Sequence, residues 1–294
     1  MYINHNQMAT NVANTLTSHY GNLQTSTQRL SSGLRVNSAA DDAAGLAIRE
    51  LMRTDIAALQ QGVRNANDAI SLIQTADGAL GVIDEKLTRM KELAEQAATG
   101  TYDSTQRLMI ESEYQAMASE ITRIANSTDF NGIHLLNGNL SSSVHSGTAM
   151  TSTGKMKIHF GTANDSAEDY YYIQIGTSTA SALGVGNQAD ANSKAYTVST
   201  QAAAQKALVG LTDAMVSKDK IRAHLGALQN RLENTISNLT TQAENLQAAE
   251  SRISDVDVAT EMTQFVRNQI LTQSAVAMLS QANSMPQMAM QLIG

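Results

Sequence analysis

Hydrophobic residues recur at every third or fourth position over two long stretches of the chain, one near each end. The first stretch runs from about residue 8 to residue 98 and the second from about residue 215 to residue 293. This spacing places the apolar side chains along one side of an α-helix. Because steps of three and four alternate over many turns, the pattern is typical of a coiled-coil-like seam. We therefore predict a mainly α fold, with a long antiparallel coiled-coil-like helical bundle formed by both chain ends.

Breaks in the pattern predict where the first helices end and begin. The first apolar stripe stops near Gly33, and Asp41 and Asp42 come just before the next stripe. Carboxylates at that place are interpreted as residues that cap the next helix and complement its dipole. A paired-carboxylate catalytic or metal site is the alternative, but no histidine or third carboxylate lies nearby. A shorter helix from about Asp103 to Asn126 should fold back antiparallel, because the connection before it is short.

The middle of the chain has a different pattern, which predicts a small β-hairpin region at about residues 130–190. Segment 155–160 is interpreted as one strand, 161–168 as a turn or loop, and 170–175 as the returning strand. Two Asn-Gly pairs, at 131–132 and 137–138, predict tight turns before the hairpin. Tyr170, Tyr171 and Tyr172 could form a stacking platform, but no basic residue stands beside them in the sequence, so a strand is preferred.

The terminal helices carry a polar surface with very few charges. Between the apolar positions of the first helix lie mostly Asn, Gln, Ser and Thr. Such a surface suits a helix buried against many copies of itself, because like charges stacked across a repeated interface would repel; an ordinary solvated face is the alternative. We predict that both terminal stripes form a polymerisation interface that includes Val12, Leu16, Leu23, Leu30, Met262, Phe265, Ile270 and Leu279.

Composition narrows the possible classes of function. The chain has no Cys and no Trp, one Pro and three Phe, and its net charge is −7. Without cysteine there can be no disulfide or zinc–thiolate site. The acidic balance argues against binding to nucleic acid. No segment is apolar over the ~20 residues that a membrane span requires. The six histidines are scattered, and no nucleotide-binding or hydrolase motif occurs. We expect no enzyme activity, no cofactor and no metal.

Four segments of the chain resemble bacterial flagellins. They are QRLSSGLRVNSAADDAAGLAI at 28–48, DFNGIHLLNG at 129–138, SRISDVDVATEMTQF at 251–265 and ILTQSAVAMLSQANSMPQMAMQLIG at 270–294. They occur at both ends of the chain and in the family's order. The resemblance implies a structural subunit that self-assembles into the flagellar filament for motility. A hook–filament junction protein, which shares the terminal patterns, is the alternative.

The resemblance also implies a domain organisation, an export route and a set of protein partners. Residues 1–43 and 254–294 would form an α-helical inner-tube domain, and residues 44–253 an outer-tube domain with almost no variable insertion. The subunit would be exported unfolded through the flagellar secretion apparatus and would reside outside the cell; the N-terminus carries no features of a cleavable signal peptide. The implied partners are other copies of the chain, an export chaperone at the C-terminal helix, and the filament cap and hook-junction proteins.

A host receptor is a further partner that the resemblance implies. The family's receptor-binding pattern stands here as LTRMKEL at residues 87–93. The matching positions for the flagellin-sensing Toll-like receptor are Arg89 and Leu93, with Glu113 on the following helix. We expect Leu93 to be exposed, because it lies off the main stripe, and Glu113 to lie beside Arg89.

The apolar stripes of the two chain ends lead to one expectation about the monomer. They are predicted to find no partner within one chain large enough to offset the ordering entropy of ~1–2 kcal/mol per residue. Residues 1–37 and 258–294 should therefore be disordered in the monomer and fold on assembly.

Overall fold

The computed structural model describes residues 6–142, 144, 154–165, 168–190 and 192–293. Residues 1–5 of the predicted terminal domain, and residues 166 and 167 of the predicted loop, lie outside the described residues. The helices are α1 Gln7–Ser32, α2 Ala43–Ala98, α3 Ser104–Ser127, α4 Ala180–Leu183, α5 Gln201–Ser254 and α6 Val258–Ile293. The strands are β1 Asp129–Phe130, β2 Ile133–His134, β3 Met156–His159 and β4 Tyr170–Ile173. The predicted mainly α fold with a small β-hairpin region is confirmed.

The first helices begin and end where the sequence predicts. Gly33 follows α1 with φ of 73°, and its N–H donates to the carbonyl of Arg29 at 2.9 Å. This left-handed backbone conformation is easy for glycine because glycine has no Cβ. At the start of α2, Oδ1 of Asp42 accepts a hydrogen bond from the N–H of Gly45 at 2.9 Å. The interpretation of Asp42 as a capping residue is therefore confirmed.

Two compact units make up the chain. The first contains Met1–Ile56 and Glu244–Gly294, and the second contains Ala57–Ala243. The predicted domain boundaries lie at 43/44 and 253/254, and they concern positions in a filament, which a single chain does not show. The assignment of inner-tube and outer-tube domains therefore stays a prediction.

In the first unit, α1 and α6 pair antiparallel. At one end Nδ2 of Asn6 donates to the carbonyl of Ala282 at 2.8 Å, and at the other Arg29 lies 3.8 Å from Glu261. Backbone hydrogen bonds also join the segment after α1 to the segment before α6. The N–H of Val256, for example, donates to the carbonyl of Gly33 at 3.0 Å. The predicted pairing of the two chain ends is thus present, and the expectation that this contact is too small to keep the terminal segments ordered in the monomer stays a prediction.

In the second unit, parts of α2 and α5 pack with α3 around one hydrophobic core. α2 and α5 are antiparallel, because Asp77 meets Arg222 whereas Asp84, later in α2, meets Lys218, which comes earlier in α5. α2 and α3 are antiparallel for the same reason, with Ala97 meeting Arg107 and Arg89 meeting Glu113. Small residues allow the helix backbones to approach closely, and long aliphatic side chains fill the space between them. Fully buried members include Ala66, Ala76, Leu80, Ile83, Leu87, Met90, Ala94, Ala118 and Ile121.

The predicted β-hairpin is confirmed, and a second, smaller one precedes it. In the predicted hairpin, β3 and β4 pair antiparallel with Met156 opposite Ile173. Nδ2 of Asn65 on α2 donates to the carbonyl of His159 at 2.8 Å and ties the hairpin to the helix. In the smaller hairpin, which comes earlier in the chain, β1 and β2 are joined by Asn131 and Gly132, both with positive φ (51° and 79°). The Asn-Gly turn was predicted, but strands of two residues are too short to be recognised from a sequence pattern.

The interpretation of the three tyrosines as part of a strand is confirmed. Basic side chains lie over all three of them in space, although none stands beside them in the sequence. Nζ of Lys157 lies 3.6 Å from the ring centre of Tyr170, and Arg231 on α5 lies 3.6 Å from that of Tyr171. Nζ of Lys155 lies 4.1 Å from that of Tyr172. The register of the hairpin brings lysines of the other strand diagonally across from the tyrosines. Cation–π contacts therefore brace the hairpin.

None of the helices in the described part of the chain combines the length and the apolar character that a membrane crossing needs.

Candidate assembly surface

The four predicted interface residues of α1 lie half-buried on the side of the helix that faces α6. They are Val12, Leu16, Leu23 and Leu30. The only residue of α1 that is fully buried is Ser26. Exposed apolar side chains also occur on this helix, at Met8 and Tyr20. The contact with α6 therefore covers the stripe only in part, and further apolar surface on α1 remains open.

The α6 residues on the side facing α1 are a mixture of small, polar and apolar residues. Asn268, Thr272, Ala275 and Ala282 are buried, and the predicted interface residues Phe265 and Leu279 are half-buried. The hydroxyl of Thr272 donates to the carbonyl of Asn268 at 2.7 Å, so its polar atom is satisfied within the helix. This seam is suited to close approach of two helices rather than to strong hydrophobic burial.

The remaining sides of α6 also carry large apolar residues, and these are open to solvent. Val258, Met262, Val266 and Ile270 follow one another at steps of four, and each is between 44% and 57% exposed. An open groove of about 550 Å³ runs along this row, and its lining is Met262, Thr263, Val266, Arg267, Ile270 and Leu271. A helix with apolar residues all round is expected to be buried on all sides. One neighbouring helix cannot do that.

The predicted α6 residues thus divide between two sides of the helix. Phe265 and Leu279 face the partner within the chain, whereas Met262 and Ile270 face outward. All four were predicted to share one interface, but the apolar residues of this helix do not form a single narrow stripe.

Charge is nearly absent from both terminal helices. The only Asp, Glu, Lys or Arg residues are Arg29 in α1, and Glu261 and Arg267 in α6. Arg29 and Glu261 lie opposite each other at 3.8 Å. Copies of these helices could therefore pack closely without repulsion between like charges or burial of unpaired ions.

Two of the three predicted receptor-surface residues form an exposed ion pair in the second unit. Nη2 and Nε of Arg89 lie 2.8 and 3.0 Å from Oε1 of Glu113, and Nη1 lies 2.9 Å from Oε2 of Glu92. Hydrogen bonds to Glu92 and Glu113 raise the pKa of Arg89 above its ordinary value. Glu113 lies beside Arg89 because α3 folds back along α2, as the sequence analysis expected.

The third predicted residue, Leu93, is not exposed. Only 2% of its surface is open to solvent, and it belongs to the hydrophobic core of the second unit. The expectation of exposure is wrong because Leu93 lies in a core that α2 shares with buried residues of both α3 and α5. Two neighbouring helices bury a wider sector of α2 than one seam would.

Sequence reasoning missed a buried lysine that links α2 to α5. Lys218 is 2% exposed, and its Nζ lies 2.5 Å from Oδ1 of Asp84 and 2.7 Å from Oδ1 of Asp219. Its spacing from the buried Ala214 and Leu225 places it on the inner side of α5. The sequence signal was a lysine at a position of the apolar stripe; its carboxylate partner on α2 could be identified only from the structure.

Within the described part of the chain, no group of three or more His, Cys, Asp or Glu side chains is placed to hold a metal ion.

Comparison with protein-family models gives two matches that together cover most of the chain. The model of the bacterial flagellin N-terminal helical region matches residues 3–141. The model of the bacterial flagellin C-terminal helical region matches residues 208–293. Both the α1–α3 segment and the returning helices therefore carry family patterns.

Individual proteins give the same result over the full length. The chain is 41% identical over 293 residues to the flagellar filament 33 kDa core protein of Treponema phagedenis, covering 100% of both. It is 43% identical over 310 residues to flagellin of Bacillus subtilis, again covering 100% of both. A putative flagellar hook-associated protein from Vibrio parahaemolyticus aligns with a TM-score of 0.55 at 13% identity, over 73% of this chain and 100% of that one. That last similarity shows the fold alone. On these matches, the chain belongs to the flagellin family.

Proposed function

We propose that the chain is a structural subunit of the flagellar filament, and that its terminal helices bind other copies of itself. The observation that carries the proposal is the outward row of Val258, Met262, Val266 and Ile270 on α6, which remains about half exposed among the residues that the structure describes. Membership of the flagellin family supports the same function, and two relatives at about 40% identity are named as flagellin and as a filament core protein.

Covering this row would supply the energy for assembly. Each of its side chains is about half exposed, and completing its burial would contribute roughly 1 kcal/mol. The row, the groove beside it and the open apolar positions of α1 together give several such contributions per subunit. The scarcity of charge on both helices removes the desolvation cost that would otherwise oppose burial. The function is mechanical, and no catalytic step is proposed.

A hook–filament junction protein remains the second candidate, but no observation favours it. The relatives with identity near 40% are named as filament proteins, whereas the hook-associated structure shares only the fold.

The decisive experiment changes Ile270, because this side chain faces outward and can be altered without disturbing the pairing of α1 with α6. Ile270→Asp should block polymerisation of purified subunits, since a carboxylate buried between copies costs several kcal/mol and the cost recurs in every subunit. Ile270→Leu, which keeps an apolar side chain of equal size, is the matched control and should polymerise normally. Leu279→Asp is a poorer probe, because it also faces α1.

Sedimentation and electron microscopy would measure polymer, and circular dichroism would measure the helicity of the monomer. We expect Ile270→Asp to keep its helicity and to form no filaments. Filaments of normal length from Ile270→Asp would show that this face of α6 is not the assembly surface.

The domain organisation and the remaining partners are part of the same proposal. Residues 1–43 and 254–294 form the inner-tube domain, and residues 44–253 form the outer-tube domain. The subunit is exported unfolded through the flagellar secretion apparatus to an extracellular flagellum. An export chaperone covers the C-terminal helix, and the cap and hook-junction proteins meet the two ends of the filament. The apolar, charge-poor surface of α6 supports the chaperone assignment, because it would otherwise aggregate before export.

A host Toll-like receptor is a second proposed partner, supported by the exposed pair of Arg89 and Glu113. In this proposal the receptor contacts the charged pair, and Leu93 acts from beneath by packing α2 against its neighbours. Arg89→Ala should lower receptor activation by monomer at least about tenfold, or 1.4 kcal/mol. Arg123→Ala is the matched control, because Arg123 also forms an exposed ion pair, at 2.6 Å with Glu120. Equal activation by the two variants would contradict the assignment.

A further inference from the structure

Methionines are prominent among the exposed apolar side chains of the two terminal helices. Met8 on α1 and Met262, Met278 and Met288 on α6 are each between 44% and 58% exposed. Methionine is the one large apolar side chain that mild oxidants convert into a strongly polar group. We propose that these four residues, which we call the terminal methionines, are oxidation sites, and that their conversion to sulfoxide blocks assembly. The inference rests on the proposed function.

The chemistry needs only a peroxide and an accessible thioether. A sulfur lone pair of the methionine attacks one oxygen of hydrogen peroxide, and the O–O bond breaks as the S–O bond forms. The sulfur loses two electrons and the peroxide gains them. The departing hydroxide takes the proton from the oxygen now bound to sulfur and leaves as water. Because the sulfur must meet the oxidant in solution, exposure decides which methionines react first.

The structure contains an internal reference for this selectivity. Met90 lies in the core of the second unit and is 0% exposed. A dose of peroxide that oxidises the terminal methionines in the folded monomer should therefore leave Met90 intact. Met109, on α3, is 69% exposed and should react as fast as the terminal methionines. It lies outside the two terminal helices and so serves as the control for position.

Oxidation acts on assembly through the surface that carries the proposed function. Met262 stands in the row with Val266 and Ile270 and lines the groove along α6. Its sulfoxide oxygen is a strong hydrogen-bond acceptor, which would lose its water when the row is covered by another copy. Burying a polar oxygen without a partner is unfavourable. In a helical polymer that cost is repeated in each subunit.

The same geometry makes the effect depend on the state of assembly. In the free monomer the terminal methionines face solvent, whereas a neighbouring copy on α6 would cover them. The terminal methionines of a subunit would be open to oxidation before the subunit joins the filament and protected from it afterwards. Sulfoxide formation is also reversible, because the two classes of methionine sulfoxide reductase each reduce one of its epimers. The terminal helices therefore carry a reversible block on assembly.

The experiment compares the full-length protein with a variant in which all four terminal methionines are replaced by leucine. Leucine keeps nearly the same volume and apolar character but has no sulfur to oxidise. Wild type, the quadruple variant Met8→Leu, Met262→Leu, Met278→Leu, Met288→Leu and the control Met109→Leu are each treated as monomers with hydrogen peroxide. The peroxide is removed, and polymerisation is followed by sedimentation. Peptide mass spectrometry records which methionines gained oxygen.

The inference expects treated wild type and treated Met109→Leu to polymerise at least about tenfold more slowly than untreated protein. The quadruple variant should polymerise at its untreated rate, and incubation of treated wild type with both reductase classes should restore polymerisation. Peroxide added to finished filaments should leave Met262 and Met278 unoxidised.

Two results would overturn the inference while leaving the proposed function intact. One is normal polymerisation of wild type whose terminal methionines are shown to be oxidised. The other is equal peroxide sensitivity of wild type and the quadruple variant. Failure of untreated wild type to polymerise would overturn the proposed function and this inference together.

Discussion

At the scale of single residues, Tyr114 shows how one polar atom is accommodated in a dry helical core. The side chain is fully buried, and its hydroxyl donates to the carbonyl of Ala195 at 2.6 Å. Burial raises the pKa of Tyr114 well above its usual range, so the phenol stays protonated and remains a donor. The same carbonyl also accepts the N–H of Gly186 at 2.9 Å. The tyrosine thereby ties α3 to the segment that leads into α5.

Replacing Tyr114 by phenylalanine should remove this hydrogen bond and leave the packing of the ring unchanged. Tyr114→Phe keeps the ring, and we expect it to lower the free energy of unfolding by about 1 kcal/mol. Tyr102→Phe is the control, because Tyr102 is only half-buried and its hydroxyl accepts from Gln96 at 3.0 Å near the surface. Urea unfolding of both variants tests the difference. A loss for Tyr102→Phe as large as that for Tyr114→Phe would argue against the buried bond as the cause.

Leu93 provides a second prediction at this scale. Since its side chain is buried, Leu93→Ala should destabilise the second unit by about 2–5 kcal/mol through lost contacts and a cavity. Thr88→Ala, at an exposed position of the same helix, should change the free energy of unfolding much less. Thermal unfolding followed by circular dichroism compares them. If Leu93→Ala unfolds at the temperature of wild type, the packing described for α2 is incorrect. A receptor assay on Leu93 variants has to be read beside this stability measurement.

At the scale of elements, charged side chains fix how α2 and α5 lie along each other in the second unit. Lys218 meets Asp84 at 2.5 Å, and Nε of Arg222 meets Asp77 at 2.7 Å. Burial by itself would lower the pKa of Lys218, but hydrogen bonds to Asp219 and Asp84 outweigh it and leave the pKa raised. A shift of one helix by a turn would take Asp84 away from the buried ammonium and leave it with Asp219 alone. These pairs therefore specify register more than they add stability.

The Asp77–Arg222 pair should make the free energy of unfolding depend on pH in the acidic range. Hydrogen bonds from Arg222 hold the pKa of Asp77 below its ordinary value of 3.8 in the folded protein. The unfolded chain therefore binds the proton more readily. The pair stabilises the fold fully above that ordinary value, and the contribution is lost as pH falls through the lowered pKa. Because the Asp77 side chain is partly exposed, the contribution is at most about 1 kcal/mol.

Urea unfolding between pH 6 and pH 2.5 measures this contribution. Asp77→Asn should be less stable than wild type at pH 6, and the difference should shrink below pH 4. Asp68→Asn, an exposed carboxylate on the same helix, is the control and should show a smaller change. A constant difference between wild type and Asp77→Asn across this pH range would contradict the role of the ion pair.

At the scale of the whole molecule, the two compact units differ in how well their interiors are buried. The second unit has a continuous core with many fully buried side chains, whereas α1 has one buried residue, Ser26. Pairing of α1 with α6 gives each terminal helix one neighbour. It does not supply a core like that of the second unit. Helices held by few buried contacts open at low free-energy cost. The terminal helices should therefore be the least protected part of the monomer.

Limited proteolysis tests that expectation directly. Trypsin has sites at Arg29, Arg35 and Arg267 in the terminal segments. In monomers these sites should be cut well before Arg222, which lies in the second unit, and products lacking roughly residues 1–37 and the part of 258–294 after Arg267 should accumulate. In filaments the same sites should resist cleavage. Equal rates of cleavage in monomer and filament would mean that assembly does not protect the terminal helices.

The sequence by itself determined the elements, and it did so through periodicity and local signals. Steps of three and four residues predicted α1, α2, α3, α5 and α6, Gly33 and Asp42 predicted helix boundaries, and alternation on either side of a polar loop predicted the hairpin. These signals can be read from the chain because they arise from the geometry of one helix or strand and its immediate neighbours in sequence. The family motifs predicted the class of function for the same reason, since they are contiguous strings.

Only the tertiary structure decided how many neighbours each face has. Periodicity tells where Leu93 lies around α2, but its burial follows from α3 and α5 covering that sector together. Periodicity also shows that apolar residues occur all around α6. Which of them face inward, such as Leu279, and which face outward, such as Ile270, depends on where α1 lies. The lysines over Tyr170 and Tyr172, and the buried Lys218, likewise require knowing what stands opposite. Burial and pairing are properties of contacts between distant segments, and a one-dimensional pattern carries no distance between them.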